Sequence, residues 1–202
     1  MTESPLERDG LPIVTLPTLE TPRLILRTIA PDDRDAIVAI LSDKVAMEHM
    51  HYASWDTAQC HGWVDTALEI AGQPEPEGIG WVIERKDTGE TIGWFGIGNP
   101  SHPANAHHVS FEYALGRPNW NQGFMTEVLR CIFTYAFDTL GVPQLTANCH
   151  PTNVASSTVM EKAGMRFTHA DRAIGMGGYR QHQNHYCITR SDWNGLKNGA
   201  SS

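Results

Sequence analysis

Residues 119–133 read NWNQGFMTEVLRCIF, and the fold turns on how this junction is read. A polar run of Asn119, Trp120, Asn121 and Gln122 meets Gly123. After it, Met125, Val128, Leu129, Ile132, Phe133 and Ala136 recur at helical spacing, which predicts a helix over 122–139. Free backbone N–H groups at a helix start, with the positive end of the helix dipole behind them, form a site for an anion. Gly123 removes the Cβ that would hold a phosphate away from that backbone. A single glycine at a helix start is also plain turn chemistry, so the surroundings must decide.

Outward from the junction, the pattern alternates between strand and helix. Residues 1–18 carry three prolines and little periodicity and read as a flexible arm. RLILRTI (23–29) reads as a strand and PDDRDAIVAIL (31–41) as a short helix opened by Pro31. Asp56 or Thr57 caps a second helix reaching about Ile70. WVIERK (81–86) and TIGWFGIG (91–98) are strands joined by a turn at Gly89, and HHVSFEYALG (107–116) is a third central strand. On the far side come a strand QLTANC (144–149), a helix from about Asn153 to Ala163 stopped by Gly164, and strands MRFTHA (165–170) and HYCITR (185–190). Residues 194–202 read as a disordered tail. The order predicts one α/β domain of the α+β type over 19–193, with a mixed, mostly antiparallel central sheet flanked by helices.

Composition narrows the function. A chain of 202 residues that is 41% hydrophobic can bury a full core. A net charge of −8 argues against nucleic acid or an anionic membrane as partner. It suits a cationic substrate and equally suits simple solubility. Cys60, Cys131, Cys149 and Cys187 are far apart, with no zinc ribbon or disulfide framework, which fits a reducing cytoplasm. No leader-like start and no apolar run of ~20 residues is seen, so no membrane segment is expected. His49-x-His51 and His182-x-x-His185 lack cysteine or carboxylate partners at ligand spacing, and no metal is expected. Trp55, Trp63, Trp81 and Trp94 belong either to the core or to an acceptor pocket.

Residues 113–127, YALGRPNWNQGFMTE, resemble motif A of the GNAT acetyltransferase superfamily, and HPTNVASSTVMEKAGMRF (150–167) resembles the segment that follows it. TPRLILR (21–27) and the stretch Tyr186 to Trp193 are similar to the ribosomal-protein-alanine acetyltransferase branch. The resemblance implies transfer of an acetyl group from acetyl-CoA to a primary amine. It implies that the pyrophosphate sits on the amides of Asn121, Gln122, Gly123, Phe124, Met125 and Thr126, with Trp120 also in contact with the cofactor. The pantetheine arm pairs along Tyr113, Ala114 and Leu115, Asn153 contacts the cofactor or bridges the motifs, and Ser156 lies near the sulfur. Asn121 and Met125 replace the small residues usual in the family, and Met165 stands where Gly-Phe is usual. The expected acceptor is a small-molecule amine. A protein or peptide N-terminus and a non-catalytic acyl-CoA-binding module are the alternatives, and a homodimer is compatible with the pattern.

The chemistry asks for a base, because an amine of pKa ~10.4 is protonated at neutral pH and cannot attack. Glu112 is the first candidate. Related enzymes carry a Glu two residues earlier, where this chain has Ser110, and alternation puts 110 and 112 on one face. His107 and His108 are the substitutes. Ser156 is the candidate acid for the departing sulfur. Arg117 and Lys162 are candidates to offset phosphate charge, while Glu69, Glu75, Glu77 and Asp87 would attract a cationic acceptor.

Overall fold

The computed structural model describes residues 16–50, 55–73, 78–98, 109–174 and 180–199. The elements begin with β1 (Leu19–Glu20), β2 (Leu24–Arg27), α1 (Arg34–Ser42) and α2 (Thr57–Ala71). Three long strands follow as β3 (Gly78–Arg85), β4 (Thr91–Gly98) and β5 (Phe111–Leu115). Beyond the junction come α3 (Phe124–Thr134), β6 (Gln144–Cys149), α4 (Val154–Ala163), β7 (Arg166–Ile174), β8 (Arg180–Thr189) and α5 (Arg190–Gly199).

Local rules account for most boundaries. Asp56 accepts a hydrogen bond from the Gln59 amide at 2.9 Å, and Gln59 answers on the Asp56 amide, so α2 opens on a capping box. Gly89 turns between β3 and β4 at φ 70. The helix predicted over 31–41 starts with a 3-10 turn at Pro31–Asp33 before α1. The helix predicted over 122–139 splits into α3 and a π segment, Tyr135–Thr139.

The strands form two sheets. The first has the order β1-β2-β3-β4-β5, the second β6-β8-β7, and every pairing within them is antiparallel. Among the described residues the sheets meet at one parallel bridge, Ser110 to Thr146, held by the Thr146 amide on the Val109 carbonyl at 3.0 Å. Beyond that bridge β5 and β6 part. Two apolar layers fix this wedge. Phe95, Phe111 and Leu115 pack with Val128, Leu129 and Ile132 of α3 on one side of the first sheet. Trp94, Val82 and Ala114 pack with Ile37 and Leu41 of α1 and Val64 of α2 on the other. Alternation along β4 and β5 feeds both layers.

Two expectations fail at the C-terminal end. The strands expected at 165–170 and 185–190 belong to a longer hairpin, because cross-strand pairing continues through polar residues to Ile174 and Arg180. The disordered tail expected from 194 is instead the helix α5 as far as Gly199. Asp192 Oδ2 accepts from the Thr189 amide at 3.0 Å and Trp193 is buried, so tertiary contact orders a segment of poor intrinsic helix propensity. At the other end, the Trp81 indole donates to the Pro17 carbonyl at 2.8 Å, which ties residues at the end of the expected arm to the core. Residues 1–15 and 200–202 lie outside the described residues.

Candidate active site

The wedge between β5 and β6 opens into a cavity of ≈ 1590 Å³ whose wall includes Glu112, Tyr113, Asn121, Gly123, Asn153 and Ser156. Residues of the two quoted motifs, 24 or more positions apart in sequence, therefore face one space. On β5 the Gly116 amide donates to Ile92 of β4, and the Ser110 carbonyl accepts from Gly98 of β4. Even-numbered peptide groups thus point to β4. By antiparallel alternation, those of Tyr113 and Leu115 point into the wedge. The Leu115 carbonyl there accepts from the Trp120 indole at 2.8 Å. This leaves the Leu115 amide and both peptide groups of Tyr113 directed at the gap, an edge to which an extended ligand can pair.

The edge runs into the junction that opened the sequence reading. Asn121 holds φ 57 and Gly123 holds φ 78, so both are left-handed, and α3 begins with Gly123 as its N-cap. Asn tolerates this region better than most residues, which is how the loop keeps its shape with Asn121 in place of glycine. Trp120, Asn121, Gly123, Phe124, Met125 and Thr126 all reach the cavity wall. Gln122 does not belong to that wall: its side chain donates to the Pro118 carbonyl at 2.8 Å and its own carbonyl accepts from Arg23 at 3.0 Å.

Arg23 is the residue that the sequence reading passed over. Its guanidinium bridges the Gln122 carbonyl and Glu127, with Nε 2.7 Å from Glu127 Oε2, and lies 4.4 Å over the Phe124 ring. Burial alone would raise the Glu127 carboxyl, but hydrogen bonds from Thr21 and Arg23 outweigh it and hold it below its ordinary value. The start of α3 is thereby clamped to the turn between β1 and β2. TPRLILR carried this information only as a matching segment, since the contact spans about a hundred residues. Arg117, expected to offset phosphate charge, is ion-paired with Asp43 instead. Lys162 does reach the cavity wall.

On the opposite wall, Asn153 caps α4: its side-chain oxygen accepts from the Ser156 amide at 3.1 Å. That cap presents the Ser156 hydroxyl to the phenol of Tyr113, 2.8 Å away. Burial pushes the Tyr113 phenol well above its usual value, more than the bond to Ser156 lowers it, so it stays protonated across the neutral range. Nearby Cys149 is pushed up by burial, and further by Glu161, to about 11, so its thiol is inert. Glu112 is half-buried opposite Gly96 of β4, on the face of β5 that also carries Ala114 and away from the Tyr113 phenol. The base and acid candidates therefore approach the wedge from different sides of β5.

The aromatic and histidine expectations divide. Trp81 and Trp94 are buried core residues, although both also border the cavity, and Trp63 packs on Trp94 with ring centroids 5.2 Å apart. His49 stacks on His150 at 5.6 Å. His51, His107, His108, Glu75 and Glu77 lie outside the described residues.

The acetyltransferase (GNAT) domain model matches residues 23–166, a stretch that holds both the splayed strands and the left-handed loop at the start of α3. The chain belongs to the GNAT acetyltransferase family. It is an acetyltransferase. It is 32% identical over 153 residues to the uncharacterized N-acetyltransferase YoaA of Bacillus subtilis (strain 168), covering 74% of this chain and 83% of that protein. Among solved structures, it is similar to a spermidine N-acetyltransferase from Vibrio cholerae in complex with CoA and spermine (TM-score 0.67, 13% identity, 85% of this chain and 98% of that one). It is also similar to RimL, a ribosomal L7/L12 alpha-N-protein acetyltransferase in complex with coenzyme A (TM-score 0.69, 15% identity, 86% and 98%). At such identities these two structures establish the fold. The described residues include no helix long and apolar enough to cross a membrane.

Proposed function

We propose that the wedge takes acetyl-CoA and that the chain passes its acetyl group to a primary amine of a small molecule. The observation that carries this reading is the continuous edge of directed peptide groups, from Tyr113 and Leu115 to the left-handed loop at Asn121 and Gly123. Its fit to the cofactor is chemical. Amides and a helix N-terminus suit phosphate, and an extended β edge suits an amide-bearing arm. When bound, acetyl-CoA would supply an activated acetyl thioester.

The chain's own groups supply the proton transfers. Glu112 takes a proton from the acceptor's ammonium, which frees the nitrogen lone pair to form the amide bond as the carbon–sulfur bond breaks. The Ser156 hydroxyl, 2.8 Å from the Tyr113 phenol that orients it, gives its proton to the departing sulfur and takes back the second proton shed by the attacking nitrogen, while the phenol keeps its own. Asn153 fixes the start of α4, so it positions Ser156 rather than touching the reacting atoms. Arg23 holds the phosphate loop in shape through the Gln122 carbonyl.

Cavity size supports a small acceptor. About 300–1,000 Å³ is usual for one bound small molecule, and ≈ 1590 Å³ leaves room for an acceptor beside the cofactor arm. Initial rates of free-CoA production with spermidine-like polyamines, aromatic amines and short peptides test the proposal. Turnover with at least one small amine, well above that with any peptide, is the expected result. Turnover confined to peptides would move the acceptor to a protein N-terminus, and affinity for acetyl-CoA without turnover on any amine would leave a binding module.

A further inference from the structure

We propose that the β7–β8 hairpin carries a surface site for one divalent late transition-metal ion, held by His169, Asp171 and His185. The three offer ligand atoms that all lie within 4.8 Å of one another. Strand geometry makes this cluster. His169 is directly opposite His185 in the antiparallel register, and Asp171, two residues along β7, shares their face. The imidazole rings are parallel, with centroids 4.4 Å apart. The Asp171 carboxylate reaches both rings, with Oδ1 2.9 Å from His185 Nε2 and Oδ2 3.9 Å from His169 Nε2.

The hydrogen bonds around His169 supply the second argument. The pairing register shifts between Phe167 and His169, at Thr168. Thr168 Oγ1 donates its single proton to the His185 carbonyl at 3.1 Å, so toward His169 Nδ1, also 3.1 Å away, it can only accept. This contact fixes the His169 ring with Nε2 turned toward the Asp171 carboxylate, 3.9 Å away. Both imidazoles thus turn a ring nitrogen toward one carboxylate, which is the donor set a divalent ion would share. A backbone-anchored partner on the non-ligating nitrogen is also what orients metal-binding imidazoles.

Two nitrogens and one carboxylate oxygen suit Zn²⁺, Ni²⁺ or Cu²⁺ rather than Ca²⁺ or Mg²⁺, which take oxygen ligands. Ligands about 2.0–2.1 Å from zinc in a tetrahedron stand roughly 3.3 Å apart, so the cluster needs only small side-chain rotations to close. Side-chain exposures of 60% for His169 and 45% for Asp171 leave an entry path and a free coordination position. None of the three residues borders the active-site cavity. An ion here would staple the hairpin, whose strand β8 places His185 opposite Asn148 of β6, itself on the cavity wall.

The test is a calorimetric Zn²⁺ titration of tag-free, chelator-stripped full-length protein, beside His169→Ala, Asp171→Asn and His185→Ala. Asp171→Asn keeps the shape of the side chain, so it guards against loss of fold, and circular dichroism checks all three. The expected result is one Zn²⁺ per chain, weakened about tenfold or more by each substitution. Electron paramagnetic resonance of the Cu²⁺ form should show two imidazole nitrogens in the wild type and one in either histidine variant. No zinc heat above background would overturn the site. Zinc affinity equal in wild type and folded variants would also overturn it, placing the ion on other groups.

Discussion

At the scale of the residue, the account rests on groups whose roles follow from where protons and charges must go. If Glu112 takes the amine proton, Glu112→Gln lowers kcat on the order of 10²–10⁴-fold, the usual size of general-base catalysis, while acetyl-CoA affinity holds. Pre-steady-state and steady-state rates with one small amine measure it, and a full-speed variant would pass the role to another group or an ordered water. Gly123 is tested through its backbone. At φ 78 a β-branched side chain is strained, and a Cβ there meets Arg23 Nη2 at 3.6 Å. Gly123→Val should cost acetyl-CoA at least about tenfold in Kd, roughly 1.4 kcal/mol, by calorimetry, with the fold retained. Parts of this site are readable directly in the chain. The glycine at the helix start, the Asn-x-x-Ser spacing and the glutamate on β5 stand in quoted segments. Arg23 and the Tyr113 phenol were hidden as functional groups, because the contacts that define them, to Gln122, Glu127 and Ser156, join residues 43 or more positions apart.

At the scale of the element, one polar cluster ties β2, β3, β4 and the turn before α1 together. Arg27 bonds Asp33 at 2.7 Å and Glu84 at 2.6 Å, and Asp33 also accepts from Thr91 and the Ala30 amide. Burial pushes the Asp33 carboxyl up, but the bonds from Arg27, Thr91 and Ala30 outweigh it and hold it below the usual carboxylate range. The group is therefore more acidic folded than unfolded. Its contribution to stability is fully present above the unfolded value near 3.9 and is lost as pH falls through the lower folded value. Asp33→Asn should destabilise by roughly 2–3 kcal/mol at pH 7, less than the 3–5 typical of a fully buried broken pair because Arg27 keeps Glu84 and some water. Denaturant melts at several pH values read both effects. The wild-type advantage should shrink below about pH 4, and a constant difference down to pH 2 would contradict the assignment. Elements with strong local signals, such as α2 with its box and β3–β4 with their turn, were legible in sequence. The splay between β5 and β6 was not, because a sheet edge that stops pairing leaves no local pattern. The helix α5 was masked by Asn194, Gly195 and Asn198, whose propensities are overridden by the burial of Trp193.

At the scale of the whole molecule, a chain of net charge −8 is proposed to take a strongly anionic cofactor. The helix dipole of α3 and Lys162 are the local offsets, with Arg23 and Arg117 committed to carboxylates. The surplus acid then favours a cationic acceptor over a neutral one. For a polyamine, kcat/KM should fall as ionic strength rises to 0.15 M, where screening shortens to ~8 Å, while a singly charged amine of neutral body falls less. Equal salt dependence for the two would remove any steering from the account.

Hydrogen exchange read by mass spectrometry, with and without saturating acetyl-CoA, tests the central claim most directly. The wedge reading predicts slowed exchange at the Tyr113 and Leu115 amides and through residues 121–126, with the strands β2 and β3 unchanged. Binding that protects a different surface and leaves β5 and the 121–126 loop exchanging as before would contradict it.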